Sequence, residues 1–343
     1  MSSSLEITTG ARLHFGLLSY QPSPGRHAFG GAGLMIDSPR FRIAAEVVDN
    51  ASAHASCTET ESLDSHAVSK RDRSLLCLRA EEFADRYREN CPRDRTFPAV
   101  HFKMNEAIPP HVGLGSGTQL AMAVARALAL LTGDDELDDV KLAARVGRGA
   151  RSAVGIHGFS NGGFLVDGGK LDDRSTGSLA TRAEFPADWR LVLVTPVAET
   201  GLSGNAELEA FAQLPPISQS VSDRLYRLLL TELLPALLEA DLAASGEAIF
   251  EFGRSVGECF APVQGGTYAS PAMRQLVEHL RHQGIRGVGQ TSWGPTIFTL
   301  CPDQKLAEEL VAELSTDSRW SECRFHVAAP MNTGAAIQTD TKM

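Results

Sequence analysis

The stretch from Ile108 to Leu131 reads IPPHVGLGSGTQLAMAVARALALL. Gly113, Gly115 and Gly117 alternate with Leu114 and Ser116. An apolar run from Leu120 to Leu131 follows, interrupted only by Arg126. Glycine permits positive φ and lets the backbone come close to a ligand. Leu120, Val124, Leu128 and Leu131 fall at helical spacing, and the alanines between them favour helix. Thr132-Gly133 reads as the stop. A glycine loop that opens a helix gathers free N–H groups at the positive end of the helix dipole. The pattern therefore predicts an anion site over Gly113, Leu114, Gly115, Ser116, Gly117, Thr118 and Gln119. The plainer alternative is a glycine turn ahead of a buried core helix. No GK[ST] follows the glycines, and G-x-G-x-G lacks the dinucleotide spacing, so neither common phosphate fingerprint applies.

Working outward, Ala99 to Asn105 reads as the strand that delivers the chain to this loop. Leu5 to Leu18 reads as a strand or hairpin arm, in which Arg12 and His14 share one face. Arg12 suits a bidentate hold on a phosphate or carboxylate. His14 suits hydrogen-bond donation or proton transfer. An exposed polar face is the alternative for both. Gly30 to Gly33 reads as a turn where a ligand or a second backbone comes close. Asp37 is a candidate catalytic group or metal ligand, or it caps the Ser38-Pro39 turn. Phe41 to Val48 reads as a strand and Ala51 to Ser69 as a surface loop. Leu75 to Tyr87 reads as a helix with Leu75, Leu76, Leu78 and Phe83 inward.

Downstream, Asp134 to Gly147 reads as a helix with Leu137, Val140, Ala144 and Val146 inward. Arg145, Arg148 and Arg151 recur every three residues, either as a solvated face or as the lining of an anionic cleft. Trp189 to Pro196 is an apolar strand. Glu199 to Pro216 reads as a loop and domain junction, and helices follow from Val221 to Phe260, with Pro235 as a kink. The pattern of elements implies an α+β protein of two domains, 1–200 and 201–343.

Pro110 to Gly117 resembles the phosphate loop of the GHMP superfamily. With GLGSGTQLA (113–121), ARLHFGLL (11–18) and GGAGLMID (30–37), the chain resembles that superfamily's non-kinase branch, the β-ribofuranosylaminobenzene 5′-phosphate synthases, from about Ile7 to Pro330. The resemblance implies a ribosomal-S5-like N-terminal domain, a ferredoxin-like C-terminal domain and an active site in the cleft between them. It also implies transfer of ribose 5-phosphate from phosphoribosyl pyrophosphate (PRPP) to 4-aminobenzoate or 4-hydroxybenzoate, with loss of CO2 and pyrophosphate, an early step of methanopterin biosynthesis. Mg²⁺ is the implied cofactor, with Ser116 or Thr118 touching it, and Arg12 is the first candidate for the aromatic carboxylate. Gln290, Thr291, Ser292 and Trp293 match the superfamily's third, glycine-rich motif and are candidate substrate contacts. Trp293 would stack on the aromatic ring or be core. Many superfamily kinases place a catalytic Asp where Phe159, Ser160 and Asn161 stand here, and the nearest acid is Asp167. That departure weighs against the alternative, an ATP-dependent small-molecule kinase. A non-catalytic homologue is a third reading, which the polar set around Arg12 and Ser116 opposes.

The 343 residues carry 32 basic and 42 acidic side chains, a net charge of −10, which argues against nucleic-acid or membrane-surface partners. The first residues lack the pattern of a secretory signal, and the six cysteines are scattered without CxxC pairs. A cytoplasmic protein with reduced thiols, working as a homodimer on small molecules, is the expectation.

Overall fold

The computed structural model describes residues 4–20, 27–48, 55–60, 68–92, 96–134, 136–172, 176–201 and 204–339. The elements run β1 (Ser4–Leu17), β2 (Gly31–Val48), β3 (Ser56–Glu59), α1 (Lys70–Glu89), β4 (Ala99–Glu106), α2 (Ser116–Leu131), α3 (Asp139–Arg145), α4 (Val154–Asn161), β5 (Phe164–Asp167), β6 (Leu179–Ala183) and β7 (Arg190–Pro196). Then come α5 (Gly204–Gln213), α6 (Gln219–Arg227), a π-helical segment (Leu228–Leu233), α7 (Leu234–Leu238), α8 (Leu242–Gln264) and α9 (Pro271–His282). The chain continues through β8 (Val288–Gln290), β9 (Ile297–Cys301), α10 (Gln304–Thr316), a 3₁₀ turn (Ser318–Trp320), β10 (Cys323–Ala328) and β11 (Ala336–Thr339).

Two sheets organise these elements. Strands β11-β1-β2-β4-β3 form the main path of the first, with β5 and β6 extending it beside β2. The second has the order β10-β7-β9-β8. The chain changes sheets between β6 and β7, and β11 returns to the first sheet. This mixed α and β architecture matches the α+β expectation. The π-helical segment leads into Pro235, which stands at the start of α7.

Helix α2 is apolar on all sides and buried on all sides, as such a helix must be. It packs between β1 and α1, with α3 and α4 beside it. Arg126, its one charged residue, reaches Asp139 of α3 at 3.4 Å. The glycines at 31 and 33 lie inside β2 rather than in a turn. A Cβ at Gly33 would stand 2.3 Å from the Leu13 carbonyl oxygen, so the expected close backbone approach is real but occurs within the sheet. A register shift in β1 between His14 and Gly16 bends the strand beside that contact.

Four expectations need correction. The region read as the loop 51–69 contains β3, which pairs parallel with β4; residues 51–54 and 61–67 lie outside the described residues. Helix α1 turns Leu76, Cys77, Ala80, Phe83, Ala84 and Tyr87 inward, whereas Leu75 and Leu78 are exposed. These two leucines lie off the i, i+4 row that meets α2. Helix α3 is shorter than expected and buries Leu142 and Ala143, with Val146 just past its end, while Val140 and Ala144 face out. The stretch read as the loop 199–216 holds α5.

Candidate active site

Three distant segments are stapled together by backbone and hydroxyl hydrogen bonds. The Arg12 N–H donates to the Leu114 carbonyl at 3.0 Å. The Thr291 hydroxyl donates to the Gly113 carbonyl at 2.9 Å and accepts from the His14 N–H at 3.0 Å. The Ser292 N–H donates to the His14 carbonyl at 3.0 Å. These bonds join β1, the glycine loop and the turn after β8. Gly113 has φ +89°, and a Cβ there would lie 2.5 Å from the Thr291 carbonyl oxygen.

The loop ends at Gly115, whose φ of 75° and ψ of 17° form the cap of α2 with no side chain covering it. The N–H groups of Ser116 and Gly117, in the first turn, have no intrahelical acceptor. Ser116 and Gly117 line a cavity of ≈ 310 Å³. Among the described residues its lining carries Arg12 from β1, Arg79 from α1, Arg148 and Arg151 from the segment before α4, and one carboxylate, Glu207 from α5. Four positive charges thus face one negative charge. The Nε and Nη1 atoms of Arg12 are buried without a hydrogen-bond partner, as is Nε of Arg148. Burial lowers both guanidinium pKa values to about 10, with Arg151 pushing each down and Glu207 raising each. Glu207 pairs with Arg151. Burial raises the Glu207 carboxyl above its ordinary value, while Arg151, Arg12 and Arg148 pull it back. The lining also includes an aromatic cluster: Trp293 stacks on Phe260 at 4.3 Å and 8°, and Phe211 meets Trp293 edge-on at 5.3 Å and 80°.

Residues 77–167 match the family described as GHMP kinases N terminal domain, and residues 233–318 match GHMP kinases C terminal. Together the two matches take in just over half of the chain. The chain belongs to the GHMP superfamily. A β-ribofuranosylphenol 5′-phosphate synthase of Methanothermobacter thermautotrophicus is 28% identical over 321 residues, or 89% of this chain and 91% of that one. A protein of the same name from Archaeoglobus fulgidus is 28% identical over 97% of this chain and 99% of its own. Among solved structures, homoserine kinase from Cytophaga hutchinsonii superimposes with a TM-score of 0.65 at 14% identity over 98% of each chain. Mevalonate pyrophosphate decarboxylase from Streptococcus pyogenes has a TM-score of 0.65 at 12% identity, over 96% of this chain and 98% of its own. These two share the GHMP fold.

The superfamily loop accounts for only part of the expected site. Arg12, His14, Gly113, Gly115, Ser116, Gly117 and Thr118 line the cavity, as do Gln290, Ser292 and Trp293. Leu114 is buried and contributes its carbonyl to Arg12. Gln119 is fully buried and spent: it accepts from the Thr9 hydroxyl at 2.8 Å and donates to the Gly155 carbonyl at 2.7 Å. Thr291 is fully buried in the staple. Gln290 lines the cavity with both ends of its amide engaged, by the Ala269 N–H and the Ser292 carbonyl. Asp37 lies outside the lining. It is exposed and accepts from the Ala329 N–H at 2.8 Å and the Ser38 hydroxyl at 3.2 Å. Its backbone N–H also donates to the Ala329 carbonyl at 3.0 Å, so Asp37 ties β2 to the segment after β10. Trp293 joins both readings offered for it, since one face is taken by Phe260 while the residue still borders the cavity.

Among the described residues no three of His, Cys, Asp and Glu stand close enough to hold a metal. The carboxylate in the lining is paired with Arg151. Mg²⁺ prefers carboxylate and phosphate oxygens, and the hydroxyls of Ser116 and Thr118 alone do not make a resident site. The sequence reading missed Arg79 and Glu207 and left Arg148 and Arg151 undecided. The arginines embedded in GRGAR (147–151) were the available signal, since glycines beside cations mark a loop that can close on an anion. Arg145 separates from the other two by pairing with Asp134 and Tyr87.

His14 is 3% exposed, with Nε2 and the Ser152 hydroxyl 3.0 Å apart. Burial, with a smaller push from Arg12, lowers its pKa well below 6.5. The imidazole is therefore neutral in the folded protein. An unfolded chain protonates this side chain below about pH 6.5 and the folded one does not. Stability from His14 is thus present above that pH and lost as pH falls, by up to about 1.4 kcal/mol per unit. His14→Gln should flatten that part of the pH–stability curve in urea melts between pH 7 and 5. An unchanged slope would show that the ring is not held neutral.

Proposed function

We propose that this chain is a C-glycosyltransferase that joins ribose 5-phosphate from PRPP to an aromatic acid, 4-aminobenzoate or 4-hydroxybenzoate, with release of pyrophosphate and CO2. The observation that carries the reading is the joining of four arginines and an open helix N-terminus to an aromatic wall, in one cavity with one carboxylate. The names of the relatives support the same reaction class.

PRPP is a polyanion, and its charge concentrates on the departing pyrophosphate as the C1–O bond breaks. Arg12 stands against Gly115, so it faces the anion at the α2 N-terminus rather than a separate carboxylate. Preorganised donors of this kind lower the barrier because they need no reorganisation as charge develops. Arg148 and Arg79 extend the cationic surface toward the 5′-phosphate. The aromatic acid lies against Phe260 and Trp293, with its carboxyl-bearing ring carbon facing ribose C1. A carbon–carbon bond forms there as pyrophosphate leaves with the C1–O electron pair. The ring–carboxylate bond then breaks, CO2 departs, and its electrons restore the aromatic ring. CO2 leaves where a proton would otherwise be lost, so this step needs no general base. That suits a lining in which His14 is neutral and Glu207 is ion-paired. Mg²⁺ enters this scheme only as a counter-ion of the pyrophosphate substrate.

Many kinases of this superfamily use a carboxylate as the base for the substrate hydroxyl. Asp167, the nearest acid in sequence to that position, is fully buried and accepts from the Ala153 and Gly169 N–H groups. The test incubates the protein with PRPP, Mg²⁺ and each aromatic acid, and measures CO2 and pyrophosphate, with ATP and candidate alcohols in parallel. Equimolar CO2 and pyrophosphate that depend on the aromatic acid are expected. ADP without CO2 would move the chain to the kinase branch.

A further inference from the structure

The cavity is lined with donors. Guanidinium groups of Arg12, Arg79, Arg148 and Arg151 share its polar surface with the first turn of α2, with hydroxyls of Ser116, Thr118 and Ser152, and with Gln264 and Gln290. Guanidinium and backbone N–H groups donate and cannot accept. They suit phosphate oxygens but not sugar hydroxyls, which bring donors of their own. Among the described residues Glu207 is the charged acceptor in this lining. Its side chain is 18% exposed, so it keeps some contact with the cavity. A carboxylate has about four lone-pair sites, and the ion pair with Arg151 leaves some of them unused.

Position adds to the argument. Glu207 reaches the cavity from α5, opposite the arginine segment in sequence and 56 residues beyond Arg151. Phe211, one turn further along the same helix, is 7% exposed and packs against Trp293. The helix is therefore anchored at the aromatic wall, and the carboxylate stands between that wall and the arginines. In the proposed reaction this is where the sugar must lie, with phosphates on one side and the aromatic ring on the other. A carboxylate here also repels the phosphates, so a bare pyrophosphate binds against it without return.

Resting on the function proposed above, we propose that Glu207 is a specificity-determining residue that accepts hydrogen bonds from the ribose hydroxyls and so selects a ribosyl diphosphate over free pyrophosphate. Arg151 holds the carboxylate charged and oriented for that contact.

The test is calorimetric titration of the full chain and of Glu207→Gln with PRPP and with pyrophosphate, without divalent ions, after thermal melts show both proteins folded. Loss of the charge relieves repulsion and strengthens binding of both anions, whereas loss of a hydroxyl contact weakens only PRPP, so a falling PRPP preference reports that contact. The preference for PRPP over pyrophosphate is expected to fall about tenfold in Glu207→Gln and at least as far in Glu207→Ala. An unchanged ratio, with both ligands moving together, would reduce Glu207 to an electrostatic role and overturn the proposal. The same titrations are repeated with Mg²⁺ present, and a loss confined to that second series would make Glu207 a metal ligand and also overturn the proposal. Wild-type protein that binds no PRPP would instead remove the function on which the proposal rests.

Discussion

Arg12→Met is expected to lower kcat/KM for PRPP about 10³-fold while leaving the folded protein as stable or about 1 kcal/mol more stable. The two effects have one cause. Arg12 is buried beside the α2 N-terminus, and its Nε and Nη1 lack partners. Arg151 repels it, and Glu207, already paired with Arg151, compensates it only in part. A desolvated cation held in this way costs stability that only an anionic ligand returns. Methionine keeps the stem that packs at Gly115 and removes the charge. Three arginines would remain to balance Glu207, so no buried carboxylate is orphaned. Steady-state kinetics and urea melts on the same preparation test both halves. Activity within tenfold of wild type would remove Arg12 from the site. A large loss of stability would show that the guanidinium is structural.

Gly294→Ala should cost about 3 kcal/mol of stability and lower turnover more than about 10²-fold. A Cβ at this position would stand 2.4 Å from the Gly113 Cα and 2.4 Å from the Val112 carbonyl oxygen. Both are backbone atoms, so no rotamer change relieves the clash. The turn after β8 must move away from the glycine loop. The bond from the Thr291 hydroxyl to the Gly113 carbonyl is the first to break, and the first turn of α2 shifts with it. Gly284→Ala is the comparison. Gly284 has φ +86° with open space around it, so only backbone strain of about 1 kcal/mol is expected, with turnover unchanged. Equal losses in the two variants would mean that strain, not the contact between the turns, decides the outcome.

Much of the site's framework could be read locally. The alternating glycines and the apolar run after them dictate a loop entering a buried helix, because both depend on neighbours within a few residues. The i, i+2 spacing of Arg12 and His14 likewise puts them on one side of a strand, and both line the cavity. Gln119 shows where that kind of reading stops. It sits in the motif, yet its amide serves Thr9 and the Gly155 carbonyl, 110 and 36 residues away. Asp37 lies in the glycine-rich strand β2, yet it is absent from the cavity lining and its carboxylate serves the Ala329 N–H.

What the chain's own order determined was the α+β class, the glycine loop, helix α2 and the placement of Arg12. Periodicity and φ requirements are properties of short segments, and short segments carry them unaided. What the tertiary structure alone decided was the electrostatics of the cavity. Arg79, Arg148, Arg151 and Glu207 come from three separate segments; Arg79 and Glu207 carry no local signal, and the spacing of Arg148 and Arg151 fits a solvated face as well as a cleft. Only their convergence in a desolvated space makes four cations and one carboxylate a site, because charges act through distance and burial rather than through sequence. Helix α1 was likewise decided by packing: its pattern announced an apolar face, but contact with α2 buried Leu76, Ala80 and Phe83 and left Leu75 exposed.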